Sequence, residues 1–436
     1  MGFDKSRYKF ELQGAIPILL AILLFHDILI PWLYLLRITH IVPSIGHIEK
    51  LFFLMYLLVS VFYLVKNINT IKIPIVVFIF SFITAYGIVV SFFFPLELRY
   101  AIPSFATMIF AMVAMTLGSN ICVDKVGEGC INVIRRFTPY IIMSFLLGFG
   151  IYYYLQIFTD YKFYPSFVAY MLLLPLLYSI VCRKHGLTAF LLILIVLSGK
   201  RGPAFAVLIV ICAYYLFYNI QSFWKGTVKV LMILIPFIII VDSGLIYTFK
   251  KYEFMSKYTR EALSIPEEYS LRSLSIPGEY SLGSLWGGAR DLEEDRADFE
   301  VSSGRIQELK DAGKVLSNNG GLVTGMGYSF FYSLLDDEGN IVENRGYVHI
   351  SPFTLYFRFG IVSFLLVAII YIVPLLKFRN VYSENKFRSL MYMLFFVAML
   401  NSLFAYTIAY EFFFWFCFGL IYNRKMSQNK HCVIAT

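Results

Sequence analysis

Charge is what this chain has least of. Of its 436 residues, 15% are Asp, Glu, Lys or Arg, against 59% hydrophobic and 18% aromatic, and its mean hydropathy is +0.72. So little charge excludes a water-soluble fold, in which roughly 25% of residues are charged. Cysteine is scarce too. Cys122, Cys130, Cys182, Cys212, Cys417 and Cys432 lie in or beside apolar runs, the one long hydrophilic stretch has none, and no CxxC pair occurs. Neither a disulfide framework nor a CxxC metal site is therefore expected. The short alternating segments of a β-barrel are missing, as is a Ser/His/Asp nucleophile elbow. "TGMGYS" at 324–329 lacks the GK[ST] ending of a phosphate-binding loop. No small-residue cleavage site follows the first apolar run, which is expected to stay as a span.

Long apolar runs are what the chain has. They lie at about 12–36, 49–65, 73–94, 100–121, 137–158, 163–182, 186–199, 202–219, 227–247, 352–376, 388–409 and 411–422. Most are long enough to cross a hydrocarbon core of roughly 30 Å as helices. The expected fold is an all-α polytopic membrane protein of about 12 transmembrane helices with one large extracytoplasmic loop subdomain. It divides into an N-terminal bundle at 1–247, the loop at 248–351, and C-terminal spans with a tail at 352–436. With the N-terminus inside, 19 Lys and Arg fall in cytoplasmic segments and six in short outer loops: Arg37, Lys50, Arg99, Lys162, Lys200 and Arg201. That bias predicts an N-in, C-in topology. It also accounts for the net charge of +9 without a nucleic-acid partner.

The loop carries 11 basic and 17 acidic residues. It holds a tandem repeat, "LSIPEEYSLRS" at 263–273 followed by "LSIPGEYSLGS" at 274–284, which reads as a duplication in an exposed, tolerant segment. The acidic run "ARDLEEDRADFE" reads as a solvated face. Beyond it, "SSGRIQELKDAGKVLSNNGG" predicts an amphipathic helix with Ile306, Leu309, Gly313 and Leu316 on one face. Ser303 is its expected cap, and Asn318 to Gly321 its stop.

Three places suggest chemistry. "LSGKRGPAF" at 197–205 puts Lys200 and Arg201 on the side where cations are disfavoured, either snorkelling to lipid phosphates or holding an anionic lipid-linked substrate. "RGYVHISPFTLYFRFG" places His349 just before a helix begun by Ser351 and Pro352, with Arg345 before it and Arg358 beyond. An arginine at the bilayer centre costs roughly 2.5 to 3.5 kcal/mol, so Arg358 is expected to face protein and not lipid. Asp27 and Glu97 are candidate carboxylates for a metal-dependent transfer, though each stands alone in ordinary sequence. Tyr328, Phe330, Phe331 and Tyr332 either stack on sugars or pack internally.

Taken in order, the "LSGKRG" turn, the large loop with "SGR" opening a helix, the following "GMG", and the His, Leu and "FG" entering the next span resemble the O-antigen polymerase and ligase superfamily. The resemblance covers most of the chain and is strongest at 197–205 and 302–363. It implies a helical membrane glycosyltransferase at the periplasmic face of the bacterial inner membrane, using undecaprenyl-pyrophosphate-linked sugars without metal or cofactor. By position it implies Arg305 and His349 as catalytic residues and Arg201 as a pyrophosphate ligand, with Lys200, Arg345 and Arg358 in reserve. The implied partners are the lipid-linked oligosaccharide, the bilayer and a chain-length regulator protein. Ile350 stands where the ligase-like pattern has Asn, which favours polymerase over ligase. A flippase is the non-enzymatic alternative, but sparse mid-span charge and a long loop count against it.

Overall fold

The computed structural model describes residues 5–38, 46–158, 171–197, 201–218, 301–335, 341–348, 350–376, 383, 385–403 and 412–422. These are mostly helical. The helices are α1 (Lys5–Ile38), α2 (Gly46–Lys66), α3 (Ile75–Ser91), α4 (Leu98–Asn120), α5 (Val123–Phe158), α6 (Leu173–Val181), α7 (His185–Leu197) and α8 (Arg201–Tyr218). The loop contributes α9 (Val301–Asn318) and a hairpin of β1 (Tyr332–Leu335) and β2 (Ile341–Arg345). After it come α10 (Ser351–Phe359), α11 (Ser363–Val367), α12 (Val373–Leu375), α13 (Lys386–Ser402) and α14 (Phe412–Ile421).

Among the described residues four helices are long and apolar enough to cross a membrane: Gly14–Leu33, Leu98–Asn120, Lys125–Ile151 and Ser351–Leu375. Shorter apolar helices fill Leu51–Lys66, Ile75–Ser91, His185–Ile195, Ala204–Leu216 and Phe412–Ile421. Helix occupies all or part of each expected span except 227–247, which lies outside the described residues together with the tandem repeat and the acidic run; of 163–182 only Leu173–Val181 and of 388–409 only the part up to Ser402 is described as helix.

One boundary differs from its sequence reading. The span expected at 137–158 begins at Val123 and runs for 36 residues, about 54 Å at 1.5 Å per residue. Val123, Val126, Cys130 and Ile134 form a buried stripe at helical spacing, while Arg135 and Arg136 stay exposed. A hydropathy threshold passes over this amphipathic beginning because its polar face dilutes the average.

The chain separates into two compact units. One comprises Leu20–Phe52 and Glu128–Asp298. There Trp32 donates its Nε1–H to Ser144 Oγ at 3.0 Å, Ser144 donates to the Ile28 carbonyl at 2.6 Å, and Pro31 packs against Gly148. Helices α6 and α7 join through a tight turn in which Arg183 takes a φ of 56°. The hydroxyls of Ser179 and Thr188, 2.8 Å apart, tie the two helices together.

The other unit comprises Met1–Leu19, Phe53–Gly127 and Phe299–Thr436. In it α4 and α14 run so close that a Cβ on Gly118 would strike the Phe416 backbone and one on Gly419 the Met115 backbone. Close approach at small residues is how apolar helices gain dispersion contact where no hydrophobic drive remains. The Asn120 side chain at the end of α4 both accepts from Lys72 N–H and donates to Lys72 C=O, at 2.8 Å each, fixing the entry to α3.

The span after the loop is not a continuous helix. It breaks at Gly360, where φ is 54° and ψ −136°, passes through a 3₁₀ turn at Gly360–Val362, and carries a π-helical stretch at Ala368–Ile372. A break in an apolar rod leaves backbone groups that need other partners. The "VTGMG" segment supplies them: Met326 N–H donates to Phe357 C=O at 3.0 Å, and Ile361 N–H to Val323 C=O at 2.8 Å. Gly325 and Gly327, with φ of 71° and 62°, let this segment pass between α10 and α3. A side chain on Gly325 would meet the Arg358 carbonyl, and one on Gly327 the Gly87 carbonyl and Ser91.

Candidate active site

The site grows from a small core under the loop. Ala312 and Leu316 of α9, Met326, Phe330, Tyr332, Val348 and Phe357 of α10 bury one another. Phe330 stacks on Phe357 with centroids 5.2 Å apart and on Tyr332 at 5.9 Å. Tyr328 makes edge contacts with Phe105 and Phe359. Internal packing thus accounts for Tyr328, Phe330 and Tyr332. Phe331 is half-buried and stacks on Tyr100 at 5.6 Å, with the Arg99 guanidinium 5.6 Å from the Tyr100 ring.

Helix α9 is present as expected, but it already includes Val301, so Ser303 lies inside its first turn and does not cap it. Its buried face is wider than the one read by apolarity, in which Leu316 lies in the core and Leu309 packs at its edge. Glu308, Asp311, Ala312 and Leu316 are buried, while Leu309 and Gly313 are only partly covered. Two carboxylates thus sit on the inner face, where apolar residues were expected. A buried carboxylate needs ionic and hydrogen-bonded partners to offset its lost hydration. Glu308 has both: Tyr332 OH donates to its Oε1 at 2.6 Å, and Arg345 Nη1 donates to the same oxygen at 3.1 Å. Asp311 pairs with exposed Lys314 at 3.6 Å. Burial first, and then the Glu308 charge, hold the Tyr332 phenol well above its ordinary range. Burial pushes Tyr328 up to about 12.

The segment from Arg345 to Val348 is bonded residue by residue. Arg345 reaches Glu308. Gly346 C=O accepts from Arg358 Nη2 at 2.8 Å, and the same nitrogen donates to Ser104 Oγ of α4 at 2.8 Å. Tyr347 C=O lies 3.2 Å from Tyr332 OH as a second, weaker acceptor for the proton that Glu308 takes at 2.6 Å. Val348 N–H donates to Thr354 Oγ1 at 3.0 Å, and that hydroxyl donates to Val348 C=O at 2.8 Å. Ile350 caps α10, so Ser351 and Pro352 fall one position further in than their spacing suggests.

Of the residues singled out by sequence, Arg345 and Arg358 are brought together around Gly346. Arg358 is 6% exposed and faces protein. Arg305 lies in α9, one turn before Glu308. Arg201 opens α8, in the other unit. Lys200 and His349 lie outside the described residues, His349 directly following Val348 in the chain. Asp27, 8% exposed within α1, stands 3.8 Å from His26, and Glu97 caps α4. Among the described residues no group of three or more His, Cys, Asp or Glu is placed to hold a metal. Sequence reasoning passed over Glu308, Tyr332 as a donor, Ser104 and Thr354. The only available signal was a Glu in the middle of an otherwise suitable core stripe.

No protein-family model, curated protein or solved structure matches this chain.

Proposed function

We propose that this chain is a glycosyltransferase of the bacterial inner membrane, an O-antigen polymerase that moves a growing undecaprenyl-pyrophosphate-linked glycan onto a new lipid-linked repeat unit. In this reading both termini are cytoplasmic, the loop at 248–351 is periplasmic, and the count of spans is about twelve. One observation carries the proposal: the Glu308–Arg345 pair at 3.1 Å joins the helix bearing Arg305 to the strand leading into His349. These two segments hold the residues that the family resemblance nominates, and they share one core.

The chemistry needs little beyond such a pair. The acceptor sugar hydroxyl attacks the anomeric carbon of the donor as the bond to the pyrophosphate oxygen breaks, so the anomeric configuration inverts. His349 takes the hydroxyl proton, an imidazole being the side chain whose free pKa of about 6.5 suits a base near pH 7. The electron pair of the broken bond leaves on lipid pyrophosphate. Fixed guanidinium groups stabilise such charge without a metal, the role that the family resemblance gives to Arg201 and to Arg305, Lys200 being the neighbour of Arg201 in sequence. Ile350 in place of the ligase-like Asn favours polymerase over transfer to lipid A core.

Deleting the chain in its own host and following lipopolysaccharide gels together with lipid-linked glycans tests the reading. Core capped by a single repeat unit is the expected result. Bare core with accumulated lipid-linked polymer would make the chain a ligase, and single units trapped on the cytoplasmic face a flippase. Arg305→Ala and His349→Ala should leave the protein in the membrane and abolish polymer. Normal chains from both would overturn the site assignment.

A further inference from the structure

We infer that Glu308, Tyr332, Thr354 and Arg358 form a clamp on residues 345–348, and that they act as positioning residues for the reactive segment and not as ligands of pyrophosphate. Arg345, Gly346 and Val348 are each held by a side chain from elsewhere in the fold, Glu308 on Arg345, Arg358 on Gly346 and Thr354 on Val348, while the one proton of the Tyr332 hydroxyl goes chiefly to Glu308 at 2.6 Å and only secondarily to the Tyr347 carbonyl at 3.2 Å. The clamp's members come from three places, α9, β1 and α10, and they converge on the backbone immediately before His349.

The arrangement separates two roles that the sequence left together. Arg358 is 6% exposed, and its Nη2 is shared between Ser104 Oγ and Gly346 C=O. Arg345 spends Nη1 on a carboxylate whose side chain is 4% exposed. Turning either guanidinium away from these partners toward a phosphate would break a buried ionic or polar contact, and an abandoned buried group is costly. Glu308 is joined to both Arg345 and Tyr332, so one carboxylate sets the side chain of residue 345 and, through the phenol, the carbonyl of residue 347. Holding a reactive group to within a fraction of an ångström is what such supporting contacts contribute to catalysis.

The geometry of the clamp stands by itself; its purpose rests on the glycosyl-transfer reading, and two measurements on the full chain in lipid nanodiscs separate them. The first is hydrogen–deuterium exchange of the amides of residues 346–348. Thr354→Val removes the acceptor of the Val348 amide and should speed its exchange by about tenfold or more, as loss of one such bond implies, and Glu308→Ala and Tyr332→Phe, which loosen the same segment, should speed it as well, while the α3 amides are unchanged. If Glu308→Ala does not fold, the two near-isosteric variants decide the matter. Unchanged exchange in both overturns the clamp. The second measurement is transfer kinetics, with lipid-linked repeat units extracted from a host strain lacking this protein as substrate. Tyr332→Phe and Glu308→Gln should lower kcat with KM unchanged, and Glu308→Gln should retain more activity than Glu308→Ala. A rise in KM for the lipid-linked donor at constant kcat in Arg345→Lys and Arg358→Lys would make these arginines phosphate ligands and overturn the positioning role. If the wild-type chain transfers nothing, the reading of function fails while the exchange data still decide the clamp.

Discussion

At the scale of single residues, Tyr332 is the most constrained side chain near the site. Its ring fills the core under the loop while its hydroxyl serves Glu308 and the Tyr347 carbonyl. Its phenol is raised from an ordinary 10.0, first by burial and then by the Glu308 charge. A proton held more tightly in the folded than in the unfolded chain stabilises the fold at every pH below the unfolded value, and that contribution is lost as pH rises above it. Stability should therefore be insensitive to this group up to about pH 10 and decline beyond it, with Tyr328, raised to about 12, adding to the decline. Tyr332→Phe should cost about 1.5 to 3 kcal/mol at neutral pH, the worth of a hydrogen bond to a charged group, and should flatten the alkaline limb. Thermal melts of both proteins at pH 8 and pH 11 check this; equal alkaline losses would remove Tyr332 from the account.

At the scale of elements, the break at Gly360 decides how the loop meets the membrane-spanning part. Its φ of 54° and ψ of −136° belong to a region essentially reserved for glycine. A Cβ there would also meet the Val323 carbonyl and, at 2.5 Å, the Gly325 nitrogen. Gly360→Ala should destabilise the protein by roughly 1 to 3 kcal/mol from backbone strain alone, and by more once the overlap is counted. The change is read as a lowered melting temperature in detergent; a wild-type melt would mean that the "VTGMG" stitch is dispensable. "FG" and "GMG" were visible in the sequence as motifs, but not that one glycine turns the helix and the others let the loop reach it. That pairing depends on a tertiary contact between segments about 35 residues apart, which periodicity does not report. Glu308 was hidden for a related reason. Apolar spacing located α9, Leu316 and the edge residue Leu309 correctly, yet it left Glu308 off the inner face, because a carboxylate satisfied by a tyrosine and an arginine looks in sequence like a solvent-facing charge.

At the scale of the whole molecule, what was legible is what composition decides. Runs of apolar residues form helices almost wherever they occur here, because an unpaired backbone is intolerable in an apolar medium. The exposed side of α3 carries Ile75, Phe78, Phe82 and Val89 in one stripe, each more than half exposed. Such a stripe calls for lipid. Phe82→Arg, near the middle of α3, should cost roughly 2.5 to 3.5 kcal/mol of insertion free energy, seen as a smaller share of protein surviving alkaline extraction in the membrane pellet. An unchanged share would place α3 away from lipid.

The backbone bonds between 323–326 and 357–361 carry a consequence for how the protein is made. When the ribosome has finished Val348, the loop core still lacks Phe357, the hydroxyl of Thr354 and the carbonyl that will receive the Met326 amide. Maturation of the loop therefore waits for the span that follows it to be synthesised. The stretch 248–351, cut out and expressed alone, is a fragment with an open flank, and its Met326 amide, whose acceptor is the Phe357 carbonyl, should exchange as freely as in an unfolded chain.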